Sequence, residues 1–91
     1  MFSSRKINAL VEFPVHGLNL SKYFVEGEKE VYDLYAVSNH FGNMGGGHYT
    51  AFCFNHIYKK WFEFDDQRVS AIDESKLVTK AAYVLFYKKR I

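Results

Sequence analysis

The sequence predicts an α+β domain that is mainly antiparallel β-sheet with minor, short helix. Three observations carry this. Apolar residues recur at every second position in several stretches, polar and glycine-rich breaks separate those stretches, and aromatic residues make up 19% of the 91-residue chain. Aromatic and β-branched side chains suit a pleated, half-buried surface. One proline, no repeat and no low-complexity linker point to a single unit.

Residues 7–13 alternate, with Ile7, Ala9, Val11 and Phe13 apolar and Asn8 and Glu12 between them, until Pro14 and Gly17 end the strand. Residues 21–24 form one helical turn, with Asn19 or Ser21 as N-cap, before a charged loop at 26–30. The run VYDLYAVS at 31–38 is a second strand. A glycine-dense loop at 39–47 leads into another strand at 48–54. Residues 55–59 turn the chain so that 60–64 return antiparallel, a hairpin. A polar exit at 65–68, a short extended piece at 69–72 and at most one helical turn at 73–77 follow. The continuous apolar middle of AAYVLFYK at 81–88 predicts a strand covered on both faces.

Composition excludes several functions. Charge is nearly balanced at +2, and Lys and Arg are dispersed apart from Lys88, Lys89 and Arg90, so no nucleic-acid patch is expected. The single Cys53 excludes an internal disulfide and a four-Cys zinc site and fits a reducing compartment. No apolar run reaches the roughly 18 residues of a membrane helix, and the first residues lack a signal-peptide core. The expectation is an intracellular, soluble protein without membrane or nucleic-acid partners. His40, His48 and His56 do not have metal-ligand spacing, so no metal or cofactor is expected.

The residues with chemical promise are His48, which follows Gly45, Gly46 and Gly47, and the pair Asp65 and Asp66. With a turn centred near position 57, His48 and Asp65 stand close to opposite one another, and directly opposed Cβ atoms lie about 4.5–5.5 Å apart. A carboxylate beside an imidazole fixes its tautomer and stabilises its cation. A register slip of one residue exchanges Asp65 for Asp66, so both remain candidates. Cys53 lies at odd separation from His48, on the opposite strand face and about 16 Å along the strand, so it is no partner nucleophile.

These residues, with YDLYAVSNHFG at 32–42, GGGHYTA at 45–51, WFEFDD at 61–66, VS at 69–70 and AAYVLFY at 81–87, closely resemble the C-terminal half of the ubiquitin-specific protease catalytic domain, which holds that family's His box. The segment 5–20, with VEFP and GLNL, is similar to the stretch preceding it. The resemblance implies the palm part of a papain-like cysteine protease that hydrolyses the bond after the C-terminal Gly-Gly of ubiquitin. It implies that His48 is the general base, that Asp65 orients it and that Asp66 supports the site. The loop containing Met44, Gly45, Gly46 and Gly47 is similar to one that covers the ubiquitin tail, and Tyr49 to the aromatic packed on it. The implied partners are ubiquitin, ubiquitinated proteins and the remainder of the catalytic domain.

The family's nucleophilic Cys box, its oxyanion-hole neighbour and its zinc-finger Cys pairs have no counterpart in this sequence. The expectation is that residues 1–91 are the C-terminal portion of such a domain and are inactive alone, since no thiol faces His48. A catalytically inactive ubiquitin-binding or scaffold module is the alternative. Rings including Phe52, Phe54, Phe62, Tyr83 and Phe86 are expected to sit on a sheet whose covering is missing, leaving an apolar patch of several hundred Å².

Overall fold

Residues 10–24, 29–42 and 46–90 are described in the computed structural model of the chain. Strands β1 (Leu18–Asn19), β2 (Val31–Phe41), β3 (His48–Asn55), β4 (Lys60–Asp65), β5 (Arg68–Ile72) and β6 (Ala82–Lys89) form one antiparallel sheet. Helix among the described residues is limited to two 3-10 turns, Ser21–Tyr23 and Glu74–Lys76. Leu20, and neither Asn19 nor Ser21, takes the N-cap position of the first turn, with no side-chain cap, although Asn19 Oδ1 accepts from Ser21 N–H at 2.9 Å. Asp73 caps the second turn through Ser75 N–H at 3.0 Å.

β2 is the hub. Tyr32 pairs with both Leu18 and Lys89, and Ala36 with both Cys53 and Phe86, so β1 and β3 share one edge of β2 and β6 takes the other. Strands β2 to β5 then run as a meander. β2 continues through Asn39, His40 and Phe41, which sequence pattern places in a loop. Those residues pair with Thr50, Tyr49 and His48, and His40 N–H donates to Ala81 C=O at 2.8 Å.

Among the described residues the first expected strand is absent. Residues 7–9 lie outside the described residues, and 10–13 carry no strand. Pro14 lacks an N–H and Gly17 turns the chain at φ +72. Single bonds tie this stretch to the sheet instead: Leu34 N–H to Val15 C=O at 2.9 Å and Tyr87 O–H to Pro14 C=O at 2.7 Å. Arg90 forks onto Asp33 at 2.7 and 3.1 Å, and Gly17 N–H donates to the same carboxylate at 3.0 Å. Arg90 and then Gly17 hold the Asp33 carboxyl down at about 2.

Alternation along the strands gives the sheet two unlike faces. On one, Leu34, Val37, Phe52 and Trp61 form a core closed by Leu77, fully buried from the loop between β5 and β6, with Phe13, Val15, Phe54, Ile72, Leu85 and Tyr87 packed around it. On the other, Tyr35, Phe64, Val69, Tyr83, Val84 and Phe86 are 40–57% exposed. β6 is therefore an edge strand covered on one face, not the doubly covered strand its apolar run predicts. Phe52 and Phe54 belong to the covered face, while Tyr83 and Phe86 belong to the open one. The Cα radius of gyration is 15.1 Å, against about 12 Å for a compact domain of this length. The extents of 45 × 41 × 17 Å are those of a plate.

Candidate active site

Two glycines shape the approach to His48. Gly42 (φ +92) and Gly47 (φ +131) adopt backbone angles that disfavour a Cβ, and a Cβ on Gly42 would stand 3.1 Å from Gly47 Cα. The loop thus pinches its own backbone just before β3. Met44 and Gly45 lie outside the described residues, while Gly46 and Gly47 are exposed.

His48 opens β3 and Asp65 closes β4. Asn55 pairs with Lys60 and Ala51 with Phe64, so one further step sets Thr50, not His48, opposite Asp65. The turn is confined to residues 56–59, one residue shorter than expected, with Asn55 kept in the strand as the partner of Lys60 while its Oδ1 accepts from both Ile57 N–H and Tyr58 N–H at 2.9 Å. The register differs from expectation by an even step, so His48 stays on Asp65's face as its diagonal neighbour. His48 Nε2 lies 2.6 Å from Asp65 Oδ1.

That bond decides the chemistry of the ring. A carboxylate only accepts, so Nε2 carries the proton and Nδ1 keeps a lone pair. The Asp65 hydrogen bond raises the His48 pKa above its ordinary value; desolvation opposes it, and the charges of Asp65 and Asp66 add to it. The His48 bond, then that of Arg68, lowers Asp65. The pair is partly solvated, with side chains 45% and 25% exposed.

Asp66 starts the two-residue turn into β5 with φ +53 and is exposed. It adds negative charge near His48 without a hydrogen bond to it among the described contacts. Tyr49 points to the opposite face, where its ring lies 4.6 Å from that of buried His40 and 6.3 Å from that of Tyr83. Cys53 is also on the face away from His48, and burial pushes its thiol pKa up.

Three neighbours were not singled out by sequence. Arg68 Nη2 donates to Asp65 Oδ2 at 3.1 Å. Buried Asn39 donates through Nδ2 to Thr50 Oγ1 at 3.2 Å on the His48 face. For Arg68 a signal existed: it stands three residues after Asp65 across a tight turn. Asn39 gave none, because its strand position depends on pairing with β3 and β6.

His48, Asp65 and Asp66 form the one cluster among the described residues whose donor atoms, within 4.8 Å of one another, could ligate a cation. Nε2 of His48 is already committed to Asp65. An imidazole held by a carboxylate can accept a proton, as the general bases of hydrolases do.

Comparison with known proteins gives that class a family. Residues 1–87 match the family described as Ubiquitin carboxyl-terminal hydrolase. The chain belongs to this family. It is 51% identical over 90 residues to a putative ubiquitin carboxyl-terminal hydrolase 11 of Arabidopsis thaliana, covering 97% of this chain and 10% of the relative. It is 54% identical over 87 residues to ubiquitin carboxyl-terminal hydrolase 4 of Bos taurus, covering 93% and 9%. Its backbone is similar to a chain of a yeast SAGA DUBm structure, with a TM-score of 0.84 and 36% identity over 96% of this chain and 21% of that one. A SAGA DUB module of Ubp8, Sgf11, Sus1 and Sgf73 bound to monoubiquitin gives 0.84 and 35%, over 96% and 20%. The chain thus spans about a tenth of the length of the curated relatives it matches.

Proposed function

We propose that residues 1–91 are the C-terminal portion of an α+β, papain-like ubiquitin-specific protease catalytic domain, and that they supply its base and orienting acid. In this reading His48 Nδ1 accepts the proton of a cysteine thiol carried by another part of the domain. The thiolate attacks the carbonyl carbon of the last glycine of ubiquitin's Gly-Gly, and the bond to the leaving amine breaks as the imidazolium returns its proton to that amine. Water, deprotonated by His48, then hydrolyses the thioester and restores the thiol. Asp65 fixes the tautomer, and Asp66 supports the cationic ring by its charge. Met44, Gly45, Gly46, Gly47 and Tyr49 contact the ubiquitin tail, for which a glycine-lined path is wide enough only while no Cβ intrudes.

The observation that carries the reading is the 2.6 Å contact of His48 Nε2 with Asp65 Oδ1, which leaves Nδ1 as the reacting nitrogen. The ubiquitin-bound relative supports the substrate class. Alone, the chain presents no thiol on the His48 face, and no turnover is expected of it.

The test replaces the matching segment of the bovine relative with this chain and follows a fluorogenic ubiquitin C-terminal reporter. The chimera should hydrolyse it, and His48→Ala should reduce kcat by about 10³-fold or more. Binding of ubiquitin with no turnover, in a folded chimera whose parent is active, would instead make the chain a non-catalytic module.

A further inference from the structure

We propose that Arg68 is a positioning residue for Asp65, holding the carboxylate oxygen that His48 leaves unused. This rests on the active-site reading above. Asp65 and Arg68 are cross-strand partners closing the Asp66–Gln67 turn, so their side chains share a face with His48. The result is one line across three strands: His48 Nε2 to Asp65 Oδ1 at 2.6 Å, then Asp65 Oδ2 to Arg68 Nη2 at 3.1 Å.

One hydrogen bond leaves a carboxylate free to rotate about its terminal torsion, which is broad and nearly two-fold. A second anchor on the other oxygen removes that freedom and keeps Oδ1 aimed at the imidazole. Asp65 is a quarter exposed, and without an anchor water would compete for both of its oxygens. The Arg68 side chain is 82% exposed, so it contributes little packing and its replacement leaves the core intact. The charged groups facing His48 are Asp65 of β4 and Asp66 of the turn. Arg68 acts on the ring through the first of these.

The test uses the chimera with Arg68→Gln and Arg68→Lys, measured by steady-state kinetics and by NMR titration of the His48 ring. An exposed charged pair of this kind predicts that Arg68→Gln lowers kcat about two- to five-fold with KM unchanged. The same change should lower the His48 pKa by a few tenths of a pH unit, because the Asp65 hydrogen bond that raises it is less often made. Lys, a point charge on a flexible stem, should restore only part of the loss. Unchanged kcat and titration would overturn the proposal, as would a rise in KM alone or a rise in the His48 pKa. Asp65→Asn separates the two levels: activity that survives it refutes the active-site reading. Loss on Asp65→Asn with a silent Arg68→Gln refutes only the role of Arg68.

Discussion

Gly42→Ala tests how the loop before His48 is built. At φ +92 a residue with a Cβ is strained, at about 1–3 kcal/mol. The new methyl would also meet Gly47 Cα at 3.1 Å, tighter than ordinary contact, and the obstacle is backbone, which cannot swing aside as a side chain would. Alanine restricts the unfolded chain more than glycine, which returns about 0.4–1 kcal/mol. The net expectation is a loss of about 1–2 kcal/mol, or about 5–15 °C in Tm for a domain this short. Urea and thermal denaturation read the energy. Because Gly47 is bonded to His48, the imidazole NMR signals should shift as well, and in the chimera kcat/KM should fall. Gly42→Asn should lie between glycine and alanine, since Asn tolerates positive φ better. A loss under about 0.5 kcal/mol with unmoved His48 signals would refute the argument that this pinch positions the strand.

Leu77→Ala removes the fully buried plug of the core face and should cost about 2–5 kcal/mol in urea denaturation, a value under about 1 kcal/mol meaning that the sheet holds without it. pH dependence follows from the His48–Asp65 pair. His48 is raised in the folded state, so its contribution is complete below 6.5 and fades as pH rises through the folded value; Asp65 is lowered, so its contribution is present above 3.8 and fades as pH falls through its folded value. Asp65→Asn should flatten both limbs of the denaturation midpoint plotted against pH, and an unaltered profile would show the pair to be energetically idle.

Much of this was legible because strand alternation and turn residues are local. The hairpin of β3 and β4, the side of the sheet taken by Cys53 and the two short turns near residues 21 and 74 all follow from near neighbours. What was not legible depends on distant pairing. β2 extends through Asn39 and His40 because β3 and β6 meet them from either side. The exact hairpin register hinged on one side chain, Asn55, capturing two amides. His48 and Asp65 nevertheless meet, because strand parity tolerates an even error and forbids an odd one. β6 misled for the opposite reason. An apolar run marks surface that wants cover, and it cannot say whether the cover is within the same ninety-one residues.

That uncovered face has a thermodynamic consequence. Heat capacity rises on unfolding in proportion to the apolar surface newly wetted, normally by about 12–15 cal/mol/K per residue. A plate that already wets Tyr35, Tyr83, Val84 and Phe86 has less left to expose. Its stability should vary only gently with temperature, a low and broad curve with no sharp optimum. A second layer laid over those rings would raise the heat capacity of unfolding together with the stability, and the curve would steepen into the dome of a closed domain.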